Sequence, residues 1–345
     1  MQKDVYVSGK ILTPNGFKTG FININSNESY HIQKGIPSKE PIRKGIIIPS
    51  FCNAHTHIGD TFIRQRQVSL PHDLEELVAP PDGLKHRLLK EVSEQEIKKG
   101  MSLALQEMSQ CGTSLFCDFR ENGVYGAKLL KQQTKHSEIT SLIFGRPEKL
   151  RFDKNELLDL VKIVDGIGLS SISDWQKDDL ELVIKIAKKH NLSVAIHASE
   201  RVREDIDSIL SIEPSFLVHM TKGTKKDFEK IKKHKIPVVI CPRSNAFFGY
   251  KPPLQLMKKT GVDMILGTDN AMLHSLKIQD EIHFIMKQFP NIFSLEELLS
   301  MATYRPRKVL NLKDGIARST FPTSFLVLDT RTLEPMFMSK KGLRG

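Results

Sequence analysis

Residues 49–57 read Pro-Ser-Phe-Cys-Asn-Ala-His-Thr-His, two histidines one residue apart at the end of an apolar run that opens with Gly45-Ile-Ile-Ile. Continuous β-branched residues predict a strand buried on both faces, with His55 and His57 at or just past its C-terminal end. Alternation along a strand turns both imidazoles the same way. Two such imidazoles can grip one metal ion or can pair inside a core, and these residues alone leave both readings open.

Downstream the chain repeats one pattern. Ser93 and Glu96 form a capping box that opens a helix ending near Gly112, followed by a strand, "TSLFCDF", and a helix, "GVYGAKLLKQQT". Strands at "ITSLIFG", "GIGLSSI", "SVAIHA", "FLVHM", "PVVICP" and "DMILGTD" then alternate with helices at "KNELLDLVKIV", "KDDLELVIKIAKKH", "RVREDIDSIL", "KKDFEKIKKH", "PLQLMKKTG" and "IQDEIHFIMKQF". Eight β/α units in succession predict an α/β protein, a (β/α)8 TIM-type barrel over residues 46–317. A doubly wound sheet would usually carry a glycine-rich phosphate turn after its first strand, where this chain has His-Thr-His. Residues 1–45 read as short strands and turns, and "SFLVLDT" as one more strand. The two ends, 1–45 and 318–345, are expected to pair into a small β domain.

Composition sets the outer bounds. A chain of 345 residues with 39% hydrophobic content is an ordinary globule with room for one large domain. Cys52, Cys111, Cys117 and Cys241 lack a CxxC spacing and a secretory context, and read as reduced thiols in a cytoplasmic protein. The first twenty residues hold no apolar signal core, and the apolar runs are too short to cross a bilayer. The net charge of +11 raises nucleic acid as a partner. The lysines, however, alternate with apolar residues on helix faces such as "EKIKKHKI", and no aromatic-interleaved basic cluster accompanies them. A solvated surface is the better reading. Neither nucleic acid nor membrane is expected as a partner; a homo-oligomer is compatible with the sequence.

Chemistry in such a barrel collects at the C-terminal ends of its strands. Those ends carry His55 and His57, then His197, His219 and Asp269. Singly each is an unremarkable core residue, but together they point to a metal site.

These residues carry a resemblance. "PSFCNAHTH", the "HASE" of residues 197–200, "VHM", "CPRSNAFFGYKPPLQLMKKTGVDMILGTD" and "MATYRPRKVLNL" resemble the amidohydrolase superfamily, in the branch of cytosine, guanine and S-adenosylhomocysteine/methylthioadenosine deaminases and triazine chlorohydrolases. The resemblance implies His55, His57, His197 and Asp269 as metal ligands and His219 as a hydrogen-bonding partner of water or substrate. It implies Asp269 as general base and Glu200 as a proton shuttle to a ring nitrogen, although an acid at a helix start also simply serves the dipole. Two-metal relatives use a lysine or glutamate on strand 4, and "VDGIGLSSI" offers neither at its end, so one divalent ion is expected, zinc first, with iron(II) suited to the same ligands. The implied reaction is hydrolytic deamination of a small aromatic heterocycle, a small-molecule substrate. The same site could instead displace chloride or open a cyclic amide, and a non-catalytic binding protein on this scaffold is the alternative from another class.

Arg64, Arg120 and Arg146 follow strands 1, 2 and 3, with Arg243 after strand 7 as a further candidate, and are expected to face the mouth and hold an anionic group on the substrate. Pairing with Asp118, Glu121 or Glu148 is the competing reading. The stretch "VSLPHDLEELVAPPDGLKHRLL" after strand 1 lacks the tryptophan-bearing loop of the S-adenosylhomocysteine deaminases.

Overall fold

The computed structural model describes residues 4–24, 30–79, 82–310 and 324–339. The parallel strands Phe51–His57, Thr113–Arg120, Thr140–Gly145, Gly166–Leu169, Ser193–Ala198, Phe216–His219, Val238–Ile240 and Met264–Leu266 lie side by side in that order. Asp269–Asn270 then pairs with the first strand, Asp269 opposite Thr56 and Asn270 opposite His57. Only Gly267 and Thr268 separate that pair from Met264–Leu266, so the two edges of the sheet are one interrupted eighth strand. The result is the curled sheet of a TIM-type barrel. Gly267 is required at the interruption, because a Cβ there would lie 2.8 Å from that of His55.

The first and second strands are buried along their whole length, the pattern of parallel strands covered on both faces. Ala54, Phe119, Phe144, Ala195, Phe216, Val218, Val239 and Ile265 fill the barrel interior, and a larger apolar cluster lies between strands and helices. Helix Glu94–Gln110 starts at the Ser93 capping box, and Gly123–Thr134 has the expected bounds.

The apolar run before His55 is two strands rather than one. Arg43–Pro49 belongs to a second sheet, where it pairs with Tyr6–Thr13 and Phe325–Leu328. The break falls at Ser50, whose N–H bonds Ser324 O while the next N–H, that of Phe51, bonds Gly112 O of the barrel. Gly16–Asn23 and Pro335–Met338 complete five strands. The strand at 43–49 straddles the expected boundary at residue 45, and residues 318–323 and 340–345 lie outside the described residues.

All four cysteines are buried, and no disulfide joins any two of them. Among the described residues no helix is long and apolar enough to cross a membrane.

Candidate active site

His55 and His57 leave the first strand on the same side, as alternation requires, with ring centroids 4.9 Å apart. His197 ends the fifth strand and brings its Nε2 to 3.2 Å from His55 Nε2. Asp269 closes the group, its Oδ1 lying 3.2 Å from His55 Nε2 and 3.6 Å from His57 Nε2. His197 Nδ1 donates to Leu169 O at 2.9 Å, which leaves the Nε2 lone pair facing the cluster. Ligands about 2.1 Å from a tetrahedral ion stand about 3.4 Å apart, so these contacts are of the size that metal ligands show, and the His and Asp groups here could hold an ion.

His219 and Glu200 flank the group. Asn245 Nδ2 donates to His219 Nδ1 and to Glu200 Oε1, both at 3.1 Å. His219 Nε2 therefore carries the proton and lies 3.4 Å from Glu200 Oε2. Ser244 Oγ donates to Asp269 Oδ2. His219 and Asp269 have φ of 75° and 63°, in the left-handed region, and so does Ser199 at 47°. Non-glycine residues there hold strain that the surrounding fold must sustain, a common mark of working sites.

Burial separates the two carboxyls. It raises Glu200 well above its ordinary value, with the Asp269 charge adding to the effect. For Asp269 burial acts the same way, but the His55 hydrogen bond and the three nearby imidazoles outweigh it and hold the carboxyl well below. Burial also lowers His55 to about 4, His219 to about 3, and His197 well below its ordinary value, so all three are neutral. A neutral acid beside an ionised carboxylate is a division suited to moving protons in two directions.

Glu200 does not begin a helix. The following helix is Ile206–Ser211, capped by the Asp205 side chain, so Glu200 sits in the preceding loop and has no helix dipole to serve.

The arginines divide. Arg146 lines the cavity of about 310 Å³ above the cluster. Its Nε is buried without a hydrogen bond, and among the described residues no carboxylate pairs with it. Arg120 and Arg64 correct the expectation, since neither lines this cavity. Arg120 is 2% exposed and turns away into carboxylates, 3.0 Å from Glu121 Oε2 and 3.8 Å from both Asp118 and Asp60. Arg64 bonds His274 O at 2.6 Å and Glu107 at 2.7 Å.

Two polar residues of this site, Lys85 and Asp60, escape a reading of strand ends, while Glu121, just past the second strand, enters it only as a partner of the arginines. Lys85 Nζ lies 2.7 Å from Asp60 Oδ2 and 2.5 Å from Glu121 Oε1, and Glu121 Oε1 lies 3.2 Å from His57 Nδ1. Burial opposes the charges of Glu121 and Lys85. Nevertheless Lys85 and the adjoining His57 hold Glu121 well below its ordinary value, and Asp60 and Glu121 hold Lys85 above its own.

Fold and site together define a hydrolytic enzyme. Residues 46–341 match the Amidohydrolase family; the chain belongs to that family and is a hydrolase acting on carbon–nitrogen bonds. An uncharacterised protein of Methanocaldococcus jannaschii is 38% identical over 304 residues, 82% of this chain and 78% of its own. A 5-methylthioadenosine/S-adenosylhomocysteine deaminase of Caldicellulosiruptor saccharolyticus is 28% identical over 292 residues, 75% of this chain and 66% of that protein. Among solved structures, atrazine chlorohydrolase TrzN of Arthrobacter aurescens TC1, complexed with zinc, aligns with a TM-score of 0.74 at 12% identity, covering 99% of this chain and 97% of that one.

Proposed function

We propose that the protein is a one-metal hydrolase that releases ammonia from a small aromatic heterocycle, with His55, His57, His197 and Asp269 holding the ion. The observation that carries this reading is the spacing of His55 Nε2, His197 Nε2 and Asp269 Oδ1, two contacts of 3.2 Å among groups with lone pairs to share. Zinc is the expected ion, since neutral imidazoles and a carboxylate suit it, and iron(II) is the alternative. A divalent ion bound there supplies Lewis-acid activation, bringing the pKa of a coordinated water towards about 7.

The chain's own groups do the rest. Asp269, ionised and bonded by Ser244, takes up the proton that water gives up. Glu200, neutral and oriented by Asn245, donates to a ring nitrogen and so makes the adjacent carbon electrophilic. The proton on His219 Nε2 is placed to hold the oxygen added to that carbon. His219 and Asp269 are themselves buried, which strengthens their contacts. Arg146, with which no carboxylate among the described residues pairs, is the lining group that would receive an acceptor or anionic group of the substrate. The deaminase among the relatives supports release of an amine as ammonia. The second sheet is read as a small domain beside the barrel, since it joins both ends of the described chain.

The test is a screen of the zinc-loaded chain against purines, pyrimidines, pterins and triazines, with ammonia as readout. Ammonia from one class is the expected result. Chloride release from a triazine, or bound zinc without turnover of any substrate, would reject deamination.

A further inference from the structure

Two helices, Leu74–Val78 and Leu84–Glu91, form a roof over the cavity and supply Leu74, Glu75, Val78, Lys85 and His86 to its lining. Lys85 is 3% exposed, and its ammonium reaches under the roof to two carboxylates anchored in the barrel, Asp60 and Glu121. Each leads on to the metal cluster. Glu121 Oε1 faces His57 Nδ1 at 3.2 Å, and Asp60 Oδ2 accepts from Asn270 Nδ2 at 2.8 Å, the residue next to Asp269.

Glu121 cannot be held by Arg120 alone in the position His57 needs. Arg120 binds the other oxygen, Oε2. Oε1 is shared by Lys85 and His57, so removal of the ammonium frees the carboxylate to turn about its Oε2 contact. A carboxylate set against the far nitrogen of a metal-binding imidazole fixes the ring's orientation, and loss of such a partner typically costs 10–100-fold in metal affinity; here the 3.2 Å contact is an ion-pair approach without the alignment of a hydrogen bond.

The geometry points to Lys85 as a positioning residue that seats His57 through Glu121 and thereby couples closure of the roof to metal binding. Such coupling is reciprocal: if the closed roof improves metal affinity, bound metal must favour the closed roof by the same factor. The inference rests on the metal reading of the site given above, but neither a substrate nor turnover enters its test.

The test uses the full metal-free chain, with zinc alone as the probe. Chelator competition gives the zinc Kd of wild type, Lys85→Met and Lys85→Arg, and amide hydrogen exchange follows Leu84–Glu91 with and without zinc. Lys85→Met should raise the Kd by about 10–100-fold, and Lys85→Arg, which keeps a cation under the roof, by less. Zinc should slow exchange of Leu84–Glu91 in wild type and lose that effect in Lys85→Met. An unchanged Kd in Lys85→Met, or exchange of Leu84–Glu91 in wild type that zinc does not alter, overturns the coupling. If Lys85→Met does not fold, the wild-type exchange experiment decides alone. Failure of wild type to bind zinc or iron(II) at all would instead overturn the metal reading itself.

Discussion

His55 Nε2 and His197 Nε2 stand 3.2 Å apart, with His197 locked by its Nδ1 bond to Leu169 O so that its lone pair faces His55. Two imidazole nitrogens approach in this way when a proton or a cation lies between them. Burial lowers both rings and so disfavours the charged imidazolium; a neutral His55 can still donate its Nε2–H, so metal content is the measurement that separates a hydrogen bond from a shared cation. Elemental analysis of the purified chain should give close to one divalent ion, and His55→Ala or Asp269→Ala should lose both the ion and activity. Two tightly bound equivalents would contradict a single site.

Glu200 is separable from metal retention. Its Oε2 faces His219 and its Oε1 faces Asn245, and the ligand cluster does not depend on it. Glu200→Gln preserves shape and removes the proton, so it should keep metal and melting temperature while losing about 10²–10⁴-fold in kcat, the usual worth of a positioned acid or base. Turnover near the wild-type value would exclude Glu200 from the proton transfers.

Arg120 should act on stability. It is the buried cation between Asp118, Glu121 and Asp60, and Gly59 is shaped around it, since a Cβ on Gly59 would come within 1.6 Å of Arg120 Nη1. Arg120→Met strands buried carboxylates and should cost about 3–5 kcal/mol. Gly59→Ala shifts the guanidinium without deleting it and should cost about 1–3 kcal/mol, as overpacking does. Urea unfolding measures both. A raised KM at unchanged stability would return Arg120 to the substrate.

The barrel was legible because parallel strands covered on both faces leave continuous apolar runs, and because Ser93 and the stop near Gly112 bound their helix with local capping chemistry. The strand ends named His55, His57, His197, His219 and Asp269, which the structure brings together. What stayed hidden depends on partners distant in sequence. Lys85 reads as one more surface lysine of an exposed helix until Asp60 and Glu121 are seen beneath it. Arg120 and Arg146 close neighbouring strands, yet Arg120 pairs with Gly145, so Arg146 stands one residue further along, and carboxylates surround the first. The split at Ser50 left no trace because both halves of the run are buried, each in a different sheet.

Arg146 is the test of substrate charge. A buried Nε without a hydrogen bond, in the wall of the cavity, awaits an acceptor. Arg146→Met should raise KM by about 10–100-fold for substrates bearing a carboxylate or phosphate, the worth of a charged hydrogen bond, and leave their neutral parents nearly unaffected. Arg146→Lys should recover only part, because a point charge cannot reproduce the planar fork. Equal KM changes for charged and neutral substrates would show that the arginine shapes the wall and does not read charge.

Glu281 gives the pH dependence of stability. It lies behind the segment carrying Ser244 and Asn245, where its Oε2 accepts the Arg243 backbone N–H at 3.1 Å and its Oε1 is buried without a hydrogen bond. Burial pushes the carboxyl up to about 8 from an ordinary value of 4.5, against the opposing pull of Arg243. Between these values the folded chain keeps a proton that the unfolded chain has released. The folded state then binds more protons, so stability falls as pH rises through this window, by up to about 1.4 kcal/mol per unit, and levels off above it. Below the lower value both states are protonated and the contribution is whole. Glu281→Gln cannot ionise, so its urea midpoint should change less than that of wild type between pH 5.5 and 7.5. Parallel slopes for the two proteins would mean that Glu281 is ionised in the folded chain and already paired with Arg243.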